Sequence, residues 1–257
     1  MTAEVVSILL EWSYKPENFL EEPILLDHKG INIEISDGVA QAIVDPELFH
    51  REDALRSDLT LLIESHLQSV QLTTHKGYEI SKPSRTDLKS DGKKVVFAEV
   101  ELNVACTMGS PDITITDKNG VVISDTKQER LDRQARCASL ISEYKKIDLT
   151  LQHMLSSYSK AVVDPENELV HLYEVRDALS ARFGKSDKAI KALDVRKLWN
   201  ELGRIANELP LMQGRHRGKS AGQLRNAEQS ELDRARDLAY ALIEKYLDFL
   251  ESENKAL

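Results

Sequence analysis

A change of hydrophobic period near residue 126 is what most constrains the fold of this 257-residue chain. Before it, apolar residues tend to alternate. In "INIEIS", Ile31, Ile33 and Ile35 alternate with polar residues, a period of two that buries one face of a sheet. Beyond it, Leu140, Tyr144, Ile147, Leu151, Met154/Leu155 and Tyr158 recur at steps of three and four, and no Gly or Pro falls between Gly120 and Pro165. That is the stripe of an amphipathic helix. A segment cannot follow both periods at once, so the sequence predicts an α+β protein. Residues 1–125 form a mainly antiparallel β domain with one helix, and residues 126–257 form an all-α helical bundle.

The finer signals follow the same division. "AEVVSILLEWSY" reads as a strand, and "EPILLDHKGINIEISDGVAQAIVDP" as three strands broken at "HKG" and "SDG", where glycine supplies turn geometry. "KKVVFAEVELNVACT" continues the alternation through Val96, Ala98, Val100 and Leu102, and "PDITITD" and "GVVISD" flank "KNG" as a hairpin. A single helix is expected in "PELFHREDALRSDLTLLIESHLQSV", and "SKPSRTDLKSDGKK" (81–94) reads as a loop. In the helical part the stripe is one long helix or two broken at Asp148, a candidate N-cap. "DPENELVHLYEVRDALSARFG" reads as one helix with Asp164 capping, Pro165 in the first turn and Gly184 closing it. Leu172, Val175, Leu179 and Phe183 face inward. A short helix, a longer one with Leu198, Leu202 and Ile205, and a last helix over roughly 226–253 complete the bundle. Trp12 and Trp199 read as core anchors.

Charge narrows the function classes. A formal net charge of -9 argues against a general nucleic-acid binder, whose footprint is basic. The deficit lies mainly in residues 1–162, with 18 Lys/Arg against 26 Asp/Glu, whereas residues 163–257 hold 16 against 17. Cys106 and Cys137 are too few for a disulfide framework or a four-cysteine zinc site. "MTAEVVSILLEW" has no basic n-region, and no run of about 18 apolar residues occurs, so the expectation is a cytoplasmic protein without membrane contact. Asp112, Asp117 and Asp125 are turn acids, and His50, His75 and His153 stand isolated, so neither a metal site nor a cofactor is expected.

The candidate chemistry lies in "LPLMQGRHRGKSAGQLR" (209–225). No Asp or Glu occurs between Glu208 and Glu228, and Gly214, Gly218 and Gly222 recur every fourth residue. Glycines beside cations let backbone approach an anion, and the following helix N-terminus adds partial positive charge. The reading is a phosphate held by Arg215, Arg217 and Lys219, with His216 as the acid or base. Arg204 and Asn207, one turn apart on the preceding helix, are read as orienting residues or as plain helix surface, and Tyr173 with Arg176 (i, i+3) as half-buried packing or the completion of a cleft. The spacing is not that of a P-loop. A bland reading stands beside it: a surface loop whose cations pair with the acidic N-terminal domain or with a second subunit.

"HLYEVRDAL…WNELGRIANELPLMQGRHRG", followed by a long final helix, resembles the helical HEPN-like modules of prokaryotic conflict systems. It especially resembles the C-terminal domains of abortive-infection-type proteins, in which an Asn on one helix precedes a Gly/Arg/His-rich turn. The resemblance covers residues 140–253 and implies a dimerising helical module with a polar cleft for RNA or nucleotide. Family ribonucleases cleave RNA without metal, using an Arg and a His four to six residues apart on one helix. Here Arg204 precedes His216 by twelve positions, and Arg215 and Arg217 adjoin it. Two functions stay open. One is a defence-type or RNA-associated regulator, metal-independent ribonuclease if it is an enzyme, working as a homodimer with a protein partner. The other is a non-catalytic interaction or dimerisation module.

Overall fold

The computed structural model describes residues 4–97, 114–116, 122–220 and 222–255. It divides into two compact units, Met1–Val70 with Tyr78–Lys127, and Gln71–Gly77 with Gln128–Leu257.

The first unit is an antiparallel sheet backed by helix. Strands β1 (Val5–Lys15), β2 (Ile24–His28), β3 (Ile31–Ser36), β4 (Val39–Val44), β5 (Glu79–Ile80), β6 (Ser84–Lys89) and β7 (Lys94–Phe97) are ordered β2-β3-β4-β1-β6-β7, with β5 also on β1. The three expected strands at 24–44 are present, joined at Lys29–Gly30 and Asp37–Gly38, both left-handed, as in tight hairpin turns whose twist matches their strands. Ile8, Leu10, Trp12, Ile31, Ile33 and Ile35 are buried and share one core with Leu55, Leu59, Ile63 and Leu67. Those leucines belong to α2 (Leu55–Thr74), which follows a separate short helix, α1 (Pro46–Arg51), capped by Asp45. The single helix expected here is therefore two. Trp12 anchors the core as expected, and its indole N–H donates to Thr60 Oγ1 at 3.0 Å.

Residues 81–94 form a strand, a turn and the start of another strand rather than a loop. β6 pairs with both β1 and β7. Its inward positions, opposite Ile8 and Leu10, are Asp87 and Arg85, which hides the apolar alternation. The pair is bidentate, at 2.6 and 3.0 Å, and the Arg85 guanidinium lies 4.8 Å from the centre of the Phe49 ring. Strands β8 (Thr114–Thr116) and β9 (Val122–Asp125) pair antiparallel, as the "KNG" hairpin predicted. Ala98, Val100, Leu102, Cys106, Asp112 and Asp117 lie outside the described residues.

The second unit is a helical region: α3 (Thr126–Tyr144), α4 (Leu149–Val163), α5 (Glu168–Phe183), α6 (Ser186–Leu193), α7 (Arg196–Gly203) and α8 (Gln229–Lys255). The stripe breaks at Asp148, whose carboxylate caps α4 by accepting from Leu151 N at 2.7 Å and from the buried Tyr246 hydroxyl. Asp164, expected to open α5, instead closes α4, and Pro165 lies in the turn before Asn167. The reason is that two helices compete for this cap: the Asp164 N–H still bonds Lys160 O at 2.9 Å. Leu172, Val175, Leu179, Trp199, Leu202, Ile205, Leu242 and Tyr246 sit in one core. Deep in this unit Glu168, 1% exposed, holds Arg236 of α8 in a bidentate pair at 2.6 and 2.9 Å. His75 Nε2 lies 3.6 Å from the same carboxylate. Burial, with the Arg236 charge, pushes His75 down to about 3, so the contact is that of a neutral imidazole.

Candidate functional site

Chain 209–225 connects the last turn after α7 to α8 and is held at both ends. The final turn of the α7 rod, Arg204–Glu208, widens to π geometry, with Leu209 N donating to Arg204 O; such widened turns are frequent at functional sites. Leu211 is buried, Met212 N donates to Arg225 O, Arg225 N to Pro210 O, and Arg215 N to Ala206 O. A Cβ at Gly214 would meet Ala206 O and Leu211 O at 3.2 Å, so this crossing of backbones needs glycine. Its two ends are thus fastened, whereas Arg215, His216, Gly218, Lys219, Gly222 and Gln223 between them are exposed.

Its cations are distributed rather than pooled. Arg215 reaches α5: its Nη1 lies 3.1 Å from Asp177 Oδ2, and its guanidinium lies 4.3 Å from the centre of the Tyr173 ring. Arg217 also reaches α5, but at its start, donating to Glu166 O at 3.0 Å and Asn167 Oδ1 at 2.6 Å, and to Gly214 O at 3.1 Å. It fastens chain to chain. Arg225 is committed to Glu231 through two 2.7 Å bonds, which hold that carboxyl down to about 2. Arg204 is exposed and acts electrostatically on Glu201 and Glu231. Asn207 is half-buried, and His216 and Lys219 are exposed. Among the described residues no hydrogen bond or ion pair joins the side chains of Arg204, Asn207 and His216. Of the expected phosphate ligands, only Arg215 stands at a concentration of further functional groups.

That concentration centres on Arg176. Its guanidinium lies 4.6 Å from the centre of the Tyr173 ring and 4.6 Å from that of Trp199, and its buried Nε has no hydrogen-bond partner among the described residues. A Cβ on Gly203 would fall 2.0 Å from Nη1, so the absence of a side chain there is what admits the guanidinium. Burial lowers the Arg176 pKa below its ordinary value; the Arg215 charge acts in the same sense, and Tyr173, Asp177 and Glu208 oppose it. Two guanidiniums thus share one tyrosine ring. Each is attracted by the ring face, and a donor left unbonded favours any acceptor that arrives. The Tyr173–Arg176 pairing was legible as an i, i+3 neighbourhood. Trp199 and Gly203 were missed as site residues. The one available signal was an isolated glycine inside a helical pattern, which calls for a packing reason.

Beside this platform a polar groove of about 580 Å³ runs between α4 and α5, lined by Gln152, His153, Ser156 and Lys160 from one helix and by Glu174 and Asp177 from the other. Asp177 belongs to both places. Among the described residues no cluster of His, Cys, Asp and Glu is arranged to hold a metal ion, and no helix is long and apolar enough to cross a membrane. Comparison with protein-family models, characterised proteins and solved structures finds no match.

Proposed function

We propose that the helical region binds a phosphate group of RNA or of a nucleotide on the Arg176–Arg215 platform, as a HEPN-like module of a cytoplasmic, homodimeric regulator of the conflict or defence type. The observation that carries this reading is the buried, unbonded Nε of Arg176 beside a second guanidinium on the same ring. A phosphate offers several strong acceptors and suits the planar fork of arginine. The Arg215–Asp177 pair does not stand in the way. Its side chains are 35% and 51% exposed, and such surface pairs are worth about 0–1 kcal/mol, so an arriving phosphate displaces the carboxylate.

Within this reading Arg215 and Arg176 contact the phosphate and Tyr173 orients both. Lys219 contributes charge from the exposed side of the segment, where His216 also stands, while Arg217 maintains its course, and Arg204 and Asn207 keep the expected orienting role. Binding is favoured over cleavage, because proton transfer calls for an imidazole oriented by a second group, and among the described residues His216 has none. The test is fluorescence anisotropy of a labelled single-stranded ribo-oligonucleotide at low salt. Arg215→Ala and Arg176→Ala each weaken binding about tenfold, and the wild-type affinity falls with salt on a log–log slope of about -0.7 per phosphate contacted. Salt-insensitive binding, or binding that both variants leave unchanged, refutes the reading.

A further inference from the structure

We infer that the α4–α5 groove receives the sugar and base of a single nucleotide whose phosphate sits on Arg215, so that the unit recognised is one nucleoside monophosphate and not a strand. This rests on the phosphate reading above and specifies its ligand. A groove of about 580 Å³ falls within the roughly 300–1,000 Å³ of small-molecule sites, and its lining is polar in a particular way. Asp177, a groove wall, is 3.1 Å from Arg215, which puts the phosphate seat next to the groove mouth. Once phosphate takes its place on Arg215, the Asp177 carboxylate is released to accept a sugar hydroxyl. Glu174 engages Ser157 Oγ and faces His171 through Oε2, and its Oε1 has no partner among the described residues, a second acceptor for hydroxyl. The Gln152 amide already donates through Nε2 to Lys145 O at 2.6 Å, and its Oε1 and second N–H are what it offers a base edge.

The distribution of charge argues against a strand. Proteins that follow single strands line a groove with cations for successive phosphates. Here Arg217 and Arg225 are already bonded to Asn167 and Glu231, and the groove itself carries two carboxylates against Lys160. Among the described residues, Arg215 is the one arginine of the segment that pairs with a groove wall.

Isothermal titration calorimetry at low salt decides it, using a purine nucleoside 5′-monophosphate, the corresponding nucleoside, inorganic phosphate and a ribo-hexanucleotide. The monophosphate binds at least tenfold more tightly than the nucleoside or inorganic phosphate, and the hexanucleotide no more tightly than the monophosphate. Ser156→Trp, at an exposed groove position, brings the monophosphate down to the affinity of inorganic phosphate, and its melting temperature confirms folding. A hexanucleotide bound tenfold more tightly, or a folded Ser156→Trp protein binding the monophosphate like wild type, overturns the inference. It leaves the phosphate reading standing if Arg215→Ala still weakens both ligands. If none of the phosphate compounds binds, both fail.

Discussion

Gly203→Ala separates the platform from the fold. Gly203 has helical backbone angles, φ -59 and ψ -45, so alanine is conformationally acceptable and gains about 0.8–1.0 kcal/mol of helix propensity. Its methyl group, however, would stand 2.0 Å from Arg176 Nη1, 3.0 Å from Cζ and 3.3 Å from Nη2. Reaching an ordinary contact distance requires the guanidinium to move by about 1.5 Å or more. The obstructing atoms end a flexible side chain, so they can leave. The loss is the stacking on Tyr173 and Trp199, about 0.5–2 kcal/mol for each ring. The propensity gain offsets part of this loss, and the net destabilisation is about 0–3 kcal/mol, or up to about 12 °C in melting temperature for a protein of this size. Anion binding weakens as much as in Arg176→Ala. The assay pairs a thermal melt with the anisotropy titration. A folded Gly203→Ala protein that binds with wild-type affinity refutes the placement of Arg176 in the site. A loss above about 4 kcal/mol refutes the claim that its guanidinium can yield.

The buried Glu168–Arg236 pair makes a second prediction: Glu168→Ala leaves a cation 20% exposed and, among the described residues, paired with Asp233 alone, for a loss of about 3 kcal/mol in denaturant titrations, whereas Glu168→Leu with Arg236→Met recovers most of it. His75 is held neutral, down to about 3, and His66 down to about 4, both by burial. Below pH 6.5 the unfolded chain takes up protons that the folded chain refuses, so the stability these groups contribute is complete above 6.5 and declines toward pH 3–4. Unfolding midpoints at pH 7 and 5 should therefore differ more for wild type than for His75→Asn, by up to about 2 kcal/mol. Arg217→Ala, which removes two bonds from the segment to the start of α5 and one within the segment, lowers stability by about 1–3 kcal/mol, while Lys219→Ala, at an exposed position, changes it by less than about 0.5 kcal/mol.

Much of the fold was legible because its signals are local. Ile31, Ile33 and Ile35 alternate and are all buried, and the two hairpins around them carry glycine where the left-handed turns fall. Asp148 read as a cap and is one. β6 was illegible for a physical reason: its inward face is an ion pair stacked on a ring, so its apolar alternation is gone although its burial is not. The site was half legible. Composition picked out the acid-free segment, and helical spacing placed Tyr173 beside Arg176. What spacing cannot reveal is that Arg217 would be spent on carbonyl and amide oxygens some fifty residues away, or that Trp199 and Gly203 of another helix would enclose Arg176. Those facts belong to packing between elements.

The most direct test of phosphate recognition reads the two guanidiniums themselves. In a ¹⁵N-labelled protein at low salt, the Nε–Hε resonances of Arg176 and Arg215, assigned through Arg176→Lys and Arg215→Lys, are followed while a nucleoside monophosphate is added. Both cross-peaks should shift saturably with one dissociation constant and return as salt is raised, while those of Arg85 and Arg234, each held in a carboxylate pair, stay in place. Stationary Arg176 and Arg215 resonances, or equal drift of every arginine, would contradict the account.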